Sequence, residues 1–242
     1  MTAPPMKSNL VPDVTAPAEF PVKPMTSVRV TLLFVLALAL SAAGCRSRHA
    51  PSALTTTPSL PETELKGLYS GTLLKQLSFK DSDGPGLLLL SRSAQTVPAQ
   101  DDEPPLDQIT LRAELFRRAD TAAPWMSRWS VEDPIQCEGL DLDAGYFLDQ
   151  VTATDLDHDG RAELTLASHS FCGGGVDPQQ LRIGLRQGEQ YYEVRGESLV
   201  EVAGDEPFGG EREDDPALAS AAAPLRAHID TVWEAIKRGP SP

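Results

Sequence analysis

Histidine and cysteine are scarce in this chain, with four of the first and three of the second in 242 residues. No set of three or four of them stands at ligand spacing, which excludes the zinc patterns built on such sets. A Gly-x-Ser-x-Gly elbow is missing, since Gly67-Leu68-Tyr69-Ser70-Gly71 brings its serine one place late, and there is no glycine-rich phosphate loop. Basic residues are also few, 21 against 35 acidic ones, for a net charge of −14. That balance argues against nucleic acid or anionic lipid as a partner, because both require clustered Lys and Arg. Of the histidines, His169 between Ser168 and Ser170 reads as a polar strand end rather than half of a dyad, and His158 falls inside an acidic loop. No apolar run reaches the length of a spanning helix. The longest, Val30 to Ala43, has about fourteen residues where a bilayer needs about twenty.

That run ends in Ala42-Ala43-Gly44-Cys45, and its length suits a cleaved signal peptide. The small residues at Ala43 and Gly44 fit a peptidase groove, and the Cys45 thiol is the nucleophile placed to accept a diacylglyceryl group. The segment Leu32 to Cys45 resembles the lipobox of bacterial lipoproteins, with Ala42 where leucine is commoner. The resemblance implies a signal region over 1–44, cleavage before Cys45 and lipidation of Cys45, so that the mature chain meets a membrane through a lipid anchor. An ordinary secretory signal cut near Ala43 is the other reading of these residues. Residues 1–24 are proline-rich and carry Asp13 and Glu19, poor material ahead of an apolar core, so the expected start is Met25, with Arg29 in the short basic region. Arg46, rather than aspartate, follows the cysteine. By resemblance to Gram-negative sorting rules this implies the outer membrane, facing the periplasm or the cell surface. Cleavage would remove three basic and two acidic residues, taking the charge from −14 to −15.

Residues 46–64 are dense in Ser, Thr and Pro without a hydrophobic period, which predicts a disordered tether. A single domain is expected over 65–238. Its runs are short, alternating or β-branched: Gly71 to Lys80, Gly86 to Ser91, Gln108 to Arg118, Trp125 to Val131, Tyr146 to Thr154, Ala162 to Ser168, Leu181 to Arg186 and Gln190 to Arg195. They predict a mainly β fold, one antiparallel β-rich domain. Asp81-Ser82-Asp83-Gly84 and Gln187-Gly188-Glu189 read as hairpin turns, Asp141-Leu142-Asp143 as a turn, and 96–105 as an acidic, proline-rich loop. Over 224–238 the pattern changes. Leu225, Ile229, Val232, Trp233 and Ile236 fall on one side of a helix, predicting an amphipathic C-terminal helix that caps the sheet, with His228 at the boundary of the stripe.

Chemistry concentrates in Asp155 to Glu163. Asp155, Asp157 and Asp159 alternate, Gly160 permits a sharp turn and Glu163 follows, so positions one, three, five and nine offer carboxylates to a common centre. A hard cation wants such an oxygen cage. An EF-hand would need a bidentate acid where this chain has Leu166, and a helix where it has a strand-like run. The pattern resembles instead the FG-GAP/VCBS type of calcium loop, which implies Ca2+ held by Asp155, Asp157, Asp159 and Glu163. The same residues also read as a tight inter-strand turn whose carboxylates cap backbone N–H groups. Cys137 and Cys172, two thiols in a chain with an export signal, are expected to pair, closing a loop of about 36 residues.

The order of these features carries a wider likeness. Asp155-Leu156-Asp157, Ala162-Glu163-Leu164, Cys172, Val176-Asp177-Pro178, Leu181-Arg182-Ile183 and Tyr192-Glu193-Val194-Arg195-Gly196 resemble a bacterial family of exported proteins of surface polysaccharide biosynthesis. In that family a DLDGDGxAE loop precedes a cysteine, a D-V-S-P turn and a K-Y-x-x-R-G strand end. Gly71 to Lys80, Gly86 to Leu90 and Trp129 to Cys137 keep the family's order, so the likeness spans about 66–198. Gly173 to Gly175 replaces the family's charged residue and aspartate, and Tyr191 its lysine. The resemblance implies a link to the envelope without naming a reaction. The expected function is therefore a non-catalytic lipoprotein, a binding or accessory module linked to polysaccharide or to another envelope protein. Other readings are a scaffold subunit and a glycan-acting enzyme. Asp157 and Glu163 could do acid and base work only across a sugar cleft at a defined separation.

Overall fold

Four consecutive leucines, Leu87 to Leu90, are all buried, and they mark a strand covered on both faces. The computed structural model describes residues 53–98 and 105–240; the expected signal region over 1–44, Cys45 and the first residues of the expected tether lie outside it. The leucines belong to β3 (Gly84–Val97), the centre of a five-stranded antiparallel meander with β1 (Thr55–Thr56), β2 (Thr72–Asp81), β4 (Leu106–Arg117) and β5 (Met126–Cys137), in that spatial order around it. In β4, Ile109, Leu111, Ala113 and Leu115 alternate inward as a half-buried pattern demands. Strand β5 forms one edge of this sheet and carries Pro134 in its middle.

The second sheet is antiparallel too. It runs β11 (Arg212–Asp214), β10 (Gln190–Glu197), β9 (Gln180–Gln187), β8 (Glu163–Gly173) and β6 (Asp141–Tyr146), and β7 (Thr152–Thr154) pairs with the start of β8. Leu88, Leu90 and Ala113 of the first sheet meet Leu166 of the second and Val151 just ahead of β7, and Phe79 and Leu115 meet Leu164 and, just ahead of β8, Ala162. The two sheets thus form a sandwich. The outer face of the second sheet, Leu181, Ile183, Leu185 and Val194, is closed by α2 (Ala223–Ile236) through Leu225, Ile229, Val232, Trp233 and Ile236, the stripe expected from sequence. Gly196 makes room for that helix: a Cβ there would lie 2.5 Å from the Trp233 ring. The outer face of the first sheet is covered by the N-terminal segment, where α1 (Glu62–Leu65) sets Leu65 against Leu87, Leu89 and Phe116.

Two expectations are corrected here. The tether predicted over 46–64 is already structured from β1, where Thr55 pairs with Lys80; the Leu60 N–H donates to Gln76 Oε1 at 3.0 Å, and its carbonyl accepts from Gln76 Nε2 at 2.9 Å. A segment lying flat on a sheet needs few apolar anchors and no period, which is why composition alone missed it. Asp141-Leu142-Asp143 is strand rather than turn, opening β6 opposite Gly173, Cys172 and Phe171. Among the described residues no helix is long and apolar enough to cross a membrane.

Candidate metal loop at the seam between the sheets

Strands β7 and β8 form a hairpin, Thr154 opposite Glu163, and the aspartates occupy its connection. Each aspartate first serves the backbone: the N–H of Gly160 donates to Asp155 Oδ2 at 3.1 Å, that of Asp159 to Asp157 Oδ1 at 3.2 Å, and that of Arg161 to Asp159 Oδ1 at 2.7 Å. The turn closes through left-handed backbone at His158 (φ 63°) and Gly160 (φ 83°), the second costing nothing for glycine. Capping and clustering coexist. Oxygens of Asp155, Asp157 and Asp159 all lie within 4.8 Å of one another, close enough to share a metal ion. Asp155 Oδ1 is buried and has no hydrogen-bond partner.

Glu163 does not join that group. Its side chain turns beneath the loop, only 1 % exposed, and Oε2 accepts from the Leu156 N–H at 2.6 Å. Burial, reinforced by the three aspartates and opposed by the Leu156 N–H, pushes its carboxyl up to about 7. The position of Glu163 at the first residue of β8 explains the departure, because alternation puts its side chain opposite to Leu164, on the buried face shared with Thr165 and Ala167 that α2 covers.

Sequence reasoning read Asp81 to Gly84 as a turn and missed its partner. This hairpin of the first sheet docks on the aspartate loop of the second. Ser82 donates twice to the Gly160 carbonyl, from N and from Oγ, each at 2.8 Å. Asp81, fully buried, accepts a two-pronged ion pair from Arg117 at 2.6 and 2.7 Å and the Ala162 N–H at 3.0 Å. The available signal was parity. Asp81 continues the inward positions of Leu77 and Phe79, and an acid in a core register requires a partner.

His169 and His228 fill structural places. His169 lies within β8, not at its end, and alternation points Ser168 and Ser170 to the opposite face, so no Ser-His dyad forms. Burial lowers its pKa, against the pull of Asp143. His228 of α2 meets Thr165 Oγ1 through Nε2 at 2.8 Å, and burial lowers its pKa too. Cys137 and Cys172 form a disulfide that joins β5 of one sheet to β8 of the other.

Fold and site together define an antiparallel β-sandwich whose two sheets meet at a clustered-carboxylate loop. No family model matches the chain, and neither a curated protein nor a solved structure matches it.

Proposed function

We propose that this chain is a lipid-anchored, non-catalytic module of the bacterial cell envelope that serves surface polysaccharide, with Ca2+ in the aspartate loop bracing the seam between its sheets. The observation that carries this reading is the Cys137–Cys172 disulfide. Such bonds persist in oxidising compartments, and here one accompanies a segment with the form of a lipoprotein signal, Leu32 to Cys45. Grown with labelled fatty acid in a Gram-negative host, the chain is expected to take up label and sediment with membranes, whereas Cys45→Ser does neither. Unlabelled wild-type chain in the soluble fraction would sink the anchor.

The donor set suits a hard cation: three clustered carboxylates, one with a buried oxygen lacking any partner. Asp155, Asp157 and Asp159 would hold the ion, which would neutralise their mutual repulsion at the point where Ser82 grips Gly160. Its role is structural because the loop carries the docking contacts. Sites of this exported kind bind at about 0.1 to 1 mM. Several millimolar calcium therefore adds about 1 to 2 kcal/mol and raises Tm of the oxidised chain by about 3 to 6 °C. Asp157→Asn abolishes the rise while the variant stays folded. An equal rise in that variant would exclude the loop as the site.

A further inference from the structure

Beside the seam a cleft of about 650 Å3 opens between the sheets, lined by five arginines, Arg117, Arg118, Arg128, Arg161 and Arg186, and by two acids, Asp83 and Glu189. In a chain of net charge −14 this is a local reversal of sign. Three of the guanidiniums are already engaged. Arg117 holds Asp81, Arg161 faces Asp83 at 3.5 Å, and Arg118 lies 3.8 Å from Glu64 and 4.3 Å over the Trp125 ring. Arg128 and Arg186 form no ion pair among the described residues, although Arg92, Arg112, Arg182, Arg195 and Arg212 each hold a carboxylate.

Arg186 is held without being neutralised. Its guanidinium sits 4.9 Å from the Trp129 ring centre and 5.3 Å from that of Tyr191. A guanidinium held over ring faces keeps its charge and its N–H donors, and such a group takes a carboxylate through two parallel hydrogen bonds. The cleft's other surface is apolar, formed by Leu115, Trp129, Ala162 and Leu164. Its volume suits one or two sugar rings. A simple inorganic anion would use the guanidiniums and waste the floor; a neutral sugar would use the floor and leave two cations unmatched.

We propose that this cleft binds a carboxylate-bearing sugar unit of an acidic polysaccharide, its carboxylate on Arg186 with Arg128 beside it and its C–H face on the apolar floor. The inference rests on the envelope reading above and names its ligand class. Repulsion from the acidic remainder of the surface is screened beyond about 8 Å at physiological salt, so the charge of the cleft decides.

The test is calorimetric titration of the full detergent-solubilised chain with trigalacturonate, with galactotriose and inorganic phosphate as comparison probes. Saturable binding of trigalacturonate is expected, weakened on the order of tenfold or more by Arg186→Gln, less by Arg128→Gln, and unchanged by Arg226→Gln on α2. Thermal melts establish that each variant is folded; were Arg186→Gln unfolded, Arg128→Gln carries the comparison. Absence of saturable trigalacturonate binding overturns the proposal, as does equal binding in both cleft variants. Phosphate binding as tightly as trigalacturonate also overturns it, leaving an anion pocket without sugar recognition. Failure of the envelope reading shows separately, as wild-type chain outside the membrane fraction, whatever the titration gives.

Discussion

Replacing Asp81 with alanine is expected to destabilise the fold by about 3 to 5 kcal/mol, the cost of removing one partner from a buried ion pair. The Asp81 side chain is 0 % exposed and that of Arg117 is 11 % exposed, so neither is rescued by water. The substitution strands the Arg117 guanidinium and deprives the Ala162 and Asp83 N–H groups of their acceptor. It also loosens the hairpin that sets Ser82 on Gly160, so the damage reaches both sheets. Set against a typical domain stability of about 5 to 15 kcal/mol, such a loss is severe. Chemical denaturation of the oxidised protein measures it. Arg117→Gln should cost a comparable amount, and the double variant much less than the two losses added together, since each single change leaves the other charge unpaired. A change under about 1 kcal/mol for Asp81→Ala would show that the seam does not hold the sandwich together.

Loss of the disulfide is expected to cost about 3 to 4 kcal/mol, by the chain-entropy value for residues 35 apart in sequence. Cys137→Ser with Cys172→Ser, or reduction of the wild type, should lower the denaturation midpoint by the corresponding amount. An unchanged midpoint would mean that the unfolded chain keeps those segments together without the bond. The cross-link and the Asp81 clamp lie at opposite ends of the sandwich. Arg117 ends β4, whereas Asp107, opposite Cys137, lies near its beginning, ten strand residues or about 30 Å away. Their effects should therefore add. Together they remove about 6 to 9 kcal/mol, more than half the stability of an ordinary domain, and a chain lacking both should unfold at a far lower denaturant concentration than either single loss produces.

The inward alternation of β4, the continuous leucines of β3 and the helical stripe of α2 were legible because each is a long periodic pattern with one physical cause, burial. The aspartate loop was legible as a hairpin connection for a similar reason: Gly160 and the flanking strands specify it locally. What escaped depends on tertiary partners. Strand β1 has two residues and exists only because the edge of β2 accepts it. Glu163 looks like a ligand by spacing, yet the parity of β8 turns it under the loop. Asp81 looks like any turn aspartate until Arg117 arrives from a strand 36 residues later. The arginine cleft was hidden by the acidity of the chain as a whole, because net charge is blind to a cluster assembled from separate strands.

Pro134 has a bearing on how such molecules tolerate crowding. A twelve-residue edge strand such as β5 offers open backbone donors and acceptors that a neighbouring copy can zip onto. Pro134 withdraws one donor in mid-strand, Glu132 adds charge beside it, and Asp133 is turned aside to Arg182 of the other sheet. Copies packed shoulder to shoulder would meet there an interrupted, charged rim, and edge-to-edge growth into fibres would stop at the first contact.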